Sequence, residues 1–584
     1  MKATVACRWN LGILVVILVL ALAVRLLGIN YGFPYVYYTD EALLVNSAMG
    51  FGTGDLNPHF FLYPSLYMYV LFLIYGLSYA IGWLTGVYTS TNDFVRLFFN
   101  DVTLFYLPGR LIAALSGVIS VGMVYLLGRS AYDVRVGLIA GAFLAFSVAH
   151  VEYSHYVKTH VPAGLLVIVA LELAWSIYVG NDNWRRYLLA GIVAGLGAST
   201  IYLAGLVLVS VIVAHVLCWR DSSKNTSGVR LLTPKLFGTV IASFAAFLLT
   251  TPFAILDWPT FIGDLSSTAA LYSSGGFWAR GSFYPLTSLL ASIGHPLGYM
   301  ALLGLCYALV RRRPADLILL SQPLFLAGFL MLFTIKESHH MLIAFPALSV
   351  LSASFLVDAV SWFVRPRILQ SVALTLAAVL LLVTPAKASF QNSFRLTLPD
   401  TRSIAKEWIE ENIQPDSKIV MDSGKYYLSV FGPPLCPSQW TLEQFIARAE
   451  SHSGTSLDRR AGSRRVGYSG EVEYFQQQLQ TLDAQPRYDI IQILHDVGSP
   501  RTDVLTLDEY LFMGAKYAIV NSDVWTEYIL GSETAVRHPD KAQKYWGFYQ
   551  ALEARATLLK EFSPSAKIVG PTLRIYELPI RTPR

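Results

Sequence analysis

The sequence predicts an α-helical polytopic membrane protein that carries a C-terminal soluble α/β domain. Three observations lead there. Of 584 residues, 54% are hydrophobic and only 14% are charged, against roughly 25% charged in an average soluble domain. Apolar runs long enough to cross a bilayer as helices recur from Leu11 to Ala386. From about Arg395 charges become frequent, and apolar runs shorten to strand or helix length. The chain therefore divides into a transmembrane part, residues 1–394, and an extracytoplasmic α/β part, residues 395–584.

The first apolar stretch, Leu11 to Ile29, follows Lys2 and Arg8 and precedes no small-residue cleavage site, so it reads as an uncleaved first span. Tyr38-Thr39-Asp40-Glu41-Ala42 comes next. Two adjacent carboxylates at a membrane surface are costly unless hydrated, paired or used. They read either as ordinary interfacial polarity or as a catalytic base with its neighbour. Further apolar segments run Leu66 to Tyr88, Leu104 to Leu127, Val136 to Val151, Val161 to Val179, Tyr187 to Thr200 and Leu203 to Trp219. Leu236 to Leu256, Leu286 to Val310, Ala315 to Ile335, Met341 to Val364 and Ile368 to Ala386 complete the series.

Basic residues set the orientation. Fifteen fall in one set of alternating loops, including Arg185, Arg186 and the run Arg311 to Arg313; the intervening loops hold five, Arg96, Arg110, Lys158, Arg280 and Lys336. The alternation holds only if Leu66 to Tyr88 does not change sides. That segment is therefore expected to be a re-entrant or surface helix. About eleven true spans remain, with the N-terminus inside and the C-terminal domain outside. An integral, multi-pass plasma membrane protein is expected.

In the C-terminal part, Thr401 to Asn412 reads as an amphipathic helix; Ser417 to Met421, Tyr517 to Val520 and Leu573 to Leu578 read as strands. Ser451 to Gly470 reads as a loop. Nucleophile elbow, P-loop and dinucleotide fingerprint are all missing from this part. The four cysteines, Cys7, Cys218, Cys306 and Cys436, are scattered, and no disulfide is expected. No basic patch suggests nucleic acid as a partner. No internal repeat or pair of broken helices suggests a transporter.

Five constellations on the expected outer side could carry chemistry. Asp40 and Glu41 are followed by His59 and Tyr63-Pro64; an ionised Asp can take a proton from an incoming hydroxyl, and Pro64 can start a helix. Lys336-Glu337-Ser338-His339-His340 at a span end suits a phosphate oxyanion or snorkelling cations. His155, Lys158 and His160 read as metal ligands, phosphate donors or interfacial polar groups, without the spacing of a zinc helix. Arg110, opening its span, needs an anion: Asp40, Glu41 or a substrate phosphate. Gly275 to Arg280 suits a mobile substrate loop ending on a cation, or an ordinary interfacial loop.

These pieces, together with "PGRLIAALSG" at Pro108, "HYVKTHVPAGLLV" at His155 and "KESHHMLIAFPALSVL" at Lys336, resemble the GT-C membrane glycosyltransferases. The pattern is similar to the protein O-mannosyltransferase and lipid A aminoarabinose transferase group, family 39-like, over Leu11 to Ala386. The resemblance implies a GT-C fold and an inverting hexosyl- or pentosyltransferase. It would move a sugar from a polyprenyl-phosphate donor to a glycan, lipid or protein acceptor on the outer face. It makes Asp40 the catalytic acid of the first outer loop and Glu41 its neighbour. It makes Arg110 the Arg opening the next span, and places Lys336 and His339 near the carrier phosphate.

Two departures stand out. His160 occupies the place of a second carboxylate, so no cofactor is expected and a divalent metal is doubtful. Leu62-Tyr63-Pro64-Ser65 replaces a basic residue and Pro-Pro, which shifts phosphate contact toward Lys336, Arg110 or Lys158. The rival class is a transporter or flippase of lipid-linked saccharides, which would need neither Asp40 as a base nor a large outer domain.

Overall fold

A computed structural model describes residues 2–180, 183–223, 233–273, 289–290, 292–332, 338–424, 430–452, 475–476, 478–479, 486–495, 504–529 and 539–580. Among these, seven helices are long and apolar enough to cross a membrane: Trp9–Leu26, Leu66–Leu84, Thr103–Ala131, His160–Gly180, Tyr202–Asp221, His339–Phe363 and Arg367–Arg395. An eighth span exists if Val134–Ala145 and Val148–His155, bent by 63° at their junction, count as one. The sequence suggests about eleven. Four further helices, Trp184–Thr200, Pro234–Thr250, His295–Arg311 and Pro314–Leu330, are 17 residues each, at the lower limit of what a crossing needs. Leu66–Leu84, expected to be re-entrant or surface-lying, qualifies as a span by length and composition.

Helices approach closely where small residues allow it. A Cβ on Gly191 or Gly195 would stand 2.3 and 2.2 Å from the carbonyl oxygens of Thr239 and Ser243. This four-residue spacing of glycines lets Trp184–Thr200 lie directly on the backbone of Pro234–Thr250. The break in the eighth span is filled from the first helix. Arg25, fully buried, donates to the Leu144 and Ala145 carbonyls at the end of Val134–Ala145 and to Nδ1 of His150 beyond the break. A guanidinium thus reaches carbonyls at the end of the interrupted helix, where Leu144 also accepts the Ser147 amide at 3.4 Å.

After Arg395 the chain forms five strands: β1 (Lys418–Gly424), β2 (Asp489–His495), β3 (Tyr517–Asn521), β4 (Thr557–Phe562) and β5 (Leu573–Glu577). Their order is β2-β1-β3-β5-β4, parallel across β2-β1-β3 and antiparallel across β3-β5-β4. Alternation along the strands divides the side chains between two cores. Val420, Ile493, Ala518 and Val520 face Tyr545 and Phe548 of helix Pro539–Arg555. Ile419, Met421, Ile519 and Ile575 face Ile409 of helix Thr401–Asn412.

Candidate active site

Asp40 and Glu41 lie in the first turn of helix Thr39–Gly50, where negative charge suits the helix dipole. Consecutive helical residues point about 100° apart, so the two acids separate. Glu41 turns inward and is fully buried; Asp40 turns outward and is 43% exposed.

Glu41 is consumed by the scaffold. Arg110 donates from Nε and Nη2 to its two oxygens, each at 2.8 Å, and the Val157 amide donates to Oε1 at 2.8 Å. Gly109 makes this possible: a Cβ there would stand 2.8 Å from Val157 Cγ1. Nη1 of Arg110 reaches the carbonyls of Ile29 and Tyr31, and the guanidinium lies 4.4 Å from the Phe33 ring centroid. Arg110 therefore spends four of its five N–H groups on the protein.

Asp40 meets Lys158, whose ammonium sits directly on its carboxylate. The Lys158 side chain is 1% exposed and lies 5.5 Å from the Tyr38 ring centroid. Tyr38 in turn stacks on Tyr156, with centroids 4.1 Å apart. Burial, and secondarily the charge of Asp40, push the hydroxyls of Tyr38 and Tyr63 above their ordinary range.

Asp40 opens onto a cavity of about 380 Å³ between the bundle and the soluble domain. Tyr31, Tyr37, Tyr38 and Tyr156 line one side; Arg402, Val430, Phe431, Asp523, Gly570 and Pro571 line the other. Two residues after Lys158, His160 is buried with neither ring nitrogen hydrogen-bonded. Its ring lies 4.5 Å from that of His339, whose Nδ1 is 3.1 Å from the Tyr153 hydroxyl.

Residues 103–249, which contain Arg110, Lys158 and His160, match the family described as dolichyl-phosphate-mannose-protein mannosyltransferase. The chain resembles the GT-C membrane glycosyltransferases. No curated protein sequence matches it. Among solved structures, ArnT from Cupriavidus metallidurans in the apo state aligns at a TM-score of 0.48 and 12% identity, over 98% of each chain. The same protein bound to undecaprenyl phosphate aligns at 0.47 and 13%, over 99% of this chain and 100% of that one. AglB from Archaeoglobus fulgidus, in complex with an inhibitory peptide and a dolichol-phosphate, aligns at 0.46 and 13%, over 90% of this chain and 71% of that one.

The remaining expected site residues fall in different places. His155 is buried between the carbonyls of Val151 and Leu27, at 2.9 and 3.0 Å, and ties two segments of the bundle. His59 belongs to a separate polar group, 2.8 Å from Asp55 and 3.4 Å from Asp257. Lys336 and Arg280 lie outside the described residues. Among the described residues no three His, Cys, Asp or Glu side chains are grouped as metal ligands. The donor set at Asp40, an ammonium and aromatic rings, does not fit a divalent cation.

Several participants escape a sequence reading. Arg402 pairs with Asp400 through Nε and Nη2, each at 2.8 Å. It also reaches the Tyr31 hydroxyl and the carbonyls of Tyr37 and Val430. The Tyr31 hydroxyl donates to Asp400, and that of Tyr37 lies 2.6 Å from Ser403 Oγ. Gly570, at φ +103°, passes so close that a Cβ would fall 2.3 Å from Thr401 Oγ1. The only local signal was Asp400 itself, the cap of helix Thr401–Asn412.

Proposed function

We propose that the protein is an inverting glycosyltransferase. It takes a sugar from a polyprenyl-phosphate-linked donor and passes it to an acceptor on the outer face of the membrane. The observation that carries this reading is the Asp40–Lys158 pair: an accessible carboxylate on the cavity wall is held from behind by a buried ammonium. A base and a cation side by side are what a displacement of phosphate requires.

In this scheme an acceptor hydroxyl attacks the anomeric carbon in line. Its proton passes to Asp40 as the new C–O bond forms. The bond from the anomeric carbon to the phosphate oxygen breaks, and polyprenyl phosphate leaves with the bonding electrons. Lys158 opposes the charge growing on that phosphate, with His160 and His339 beside it as further polar contacts. Lys336 and Arg280 are proposed contacts on the same side. The bundle keeps the polyprenyl tail in lipid while its headgroup reaches Asp40, and the cavity holds the reactants together. The sheet domain then lies outside, roofing the site.

The test is to supply purified protein with polyprenyl-phosphate sugars and measure released polyprenyl phosphate. Release by the wild type and its loss in Asp40→Asn support the scheme. Movement of intact lipid-linked saccharide across vesicles, without cleavage, would replace it with the flippase alternative.

A further inference from the structure

We infer that the cavity beside Asp40 is a subsite for an uncharged, polyhydroxylated acceptor, that is a saccharide, and that Asp523 of the soluble domain binds it. This rests on the transferase reading and adds to it the acceptor class and a residue for its recognition.

The charges of the cavity wall support an uncharged guest. Arg402 is its most prominent cation, yet all five of its N–H groups are spent: one on Asp400 Oδ1, two on the Tyr37 and Val430 carbonyls, two on Asp400 Oδ2 and the Tyr31 hydroxyl. It has no donor left for an anion, and Asp400 neutralises it. Lys158 is matched by Asp40. Asp523 forms no ion pair among the described residues, so the wall carries one carboxylate without a paired cation. A phosphate- or sulfate-bearing acceptor would face that carboxylate with no free cation among the described residues of the cavity wall. A polyol has no such conflict.

The remaining surface fits the same guest. Tyr38, Tyr156 and Phe431 bring aromatic surface and phenolic hydroxyls to the wall, with Tyr38 and Tyr156 stacked on each other, and such amphipathic groups suit a sugar, which has C–H faces and a hydroxyl rim. The volume of about 380 Å³ lies near the small end of ligand cavities, roughly 300–1,000 Å³.

Asp523 is placed as a recognition residue should be. It follows the C-terminal end of β3, the side of a parallel sheet where ligands are bound. The Asn521 side chain holds its amide at 2.7 Å, and the Asn521 amide donates to Asp422 at 2.8 Å. The Ser522 hydroxyl accepts from the Thr572 amide at 2.9 Å. Burial pushes the Asp523 carboxyl above its usual range although Arg402 pulls the other way. Its two oxygens can accept from neighbouring hydroxyls of one sugar ring while another hydroxyl faces Asp40.

Binding of mannotriose, galactotriose or arabinotriose to the detergent-solubilised full chain is measured first by saturation-transfer NMR, without donor. At least one trisaccharide should bind wild type, bind Asp523→Asn at least tenfold more weakly, and recover in part with Asp523→Glu. Transfer assays should then show a raised acceptor KM in Asp523→Asn, with donor hydrolysis to water unchanged. Equal binding by wild type and Asp523→Asn, binding by none of the trisaccharides, or wild-type preference for a phosphorylated sugar or a peptide overturns the inference. Saccharide binding lost in Asp523→Asn while wild type cleaves no polyprenyl-phosphate sugar would sink the transferase reading and leave the subsite standing.

Discussion

Arg110 holds Glu41 through both arms of its guanidinium, at 2.8 Å each, and neither side chain reaches solvent. Breaking a buried pair leaves an uncompensated charge and costs about 3–5 kcal/mol. Glu41→Gln is expected to lower the melting temperature strongly, and Arg110→Lys to do so as well, because one ammonium cannot replace a bidentate fork. Thermal unfolding in detergent checks both. A Glu41→Gln protein that melts like wild type would remove Glu41 from the scaffold.

Asp40→Asn should behave in the opposite way. The side chain is half exposed and its loss leaves the Glu41 pair intact, so the melting temperature should fall less than in Glu41→Gln, the remaining loss coming from the buried Lys158 ammonium left without its carboxylate. Single-turnover transfer should drop about 10²–10⁴-fold, the usual effect of losing a general base. Donor binding should persist. Near wild-type transfer would show that the base lies elsewhere.

Lys158→Ala should weaken use of the lipid-phosphate donor. A charge-assisted contact contributes about 1.5–3 kcal/mol, so kcat/KM should fall roughly 10- to 100-fold. Lys158→Arg keeps the charge but must fit a larger group into a closed site, and should recover only part. Donor titration at fixed acceptor separates these outcomes.

Arg402→Ala should loosen the soluble domain from the bundle. It removes the Asp400 pair and the contacts to Tyr31, Tyr37 and Val430. Hydrogen exchange should rise in residues 27–38 and 398–404 while the interior of the sheet stays protected. Unchanged exchange in both segments would show that Arg402 does not hold this junction.

Asp523→Asn should raise stability at neutral pH. Burial lifts the folded-state pKa of this carboxyl, so its charged form is disfavoured by folding. The penalty is absent at low pH, where both states are protonated, and grows as pH rises through the ordinary carboxyl range to the folded value. The melting temperature of the variant should therefore exceed that of wild type near pH 7, with the gap closing toward pH 4. A gap independent of pH would point to packing instead.

Much of the architecture was legible from hydropathy, and helix Thr401–Asn412 appears with the bounds its apolar spacing suggested. β1, β3 and β5 announced themselves as apolar runs. β4 could not, because Thr557 to Glu561 are all exposed on a sheet edge and lack alternation. β2 was missed although Ile490, Ile491, Ile493 and Leu494 form an apolar run; its parallel partners lie far away in the chain. At the site, adjacency in sequence concealed the difference between Asp40 and Glu41, which appears only once the helix start fixes their directions. Arg25 and Arg402 were invisible for another reason. Their partners include backbone carbonyls, which carry no sequence signature.

That last property has a consequence for how the site can diverge. The segment 27–38 is held at Leu27 by His155, at Ile29 and Tyr31 by Arg110, and at Tyr37 by Arg402. All four handles are main-chain oxygens, which any residue supplies. Apart from Tyr31 and Tyr37, whose hydroxyls also reach Asp400 and Ser403, and Phe33 under Arg110, position along this segment is thereby separated from side-chain identity. New chemistry can be written onto positions such as Tyr38 without moving the frame that presents it.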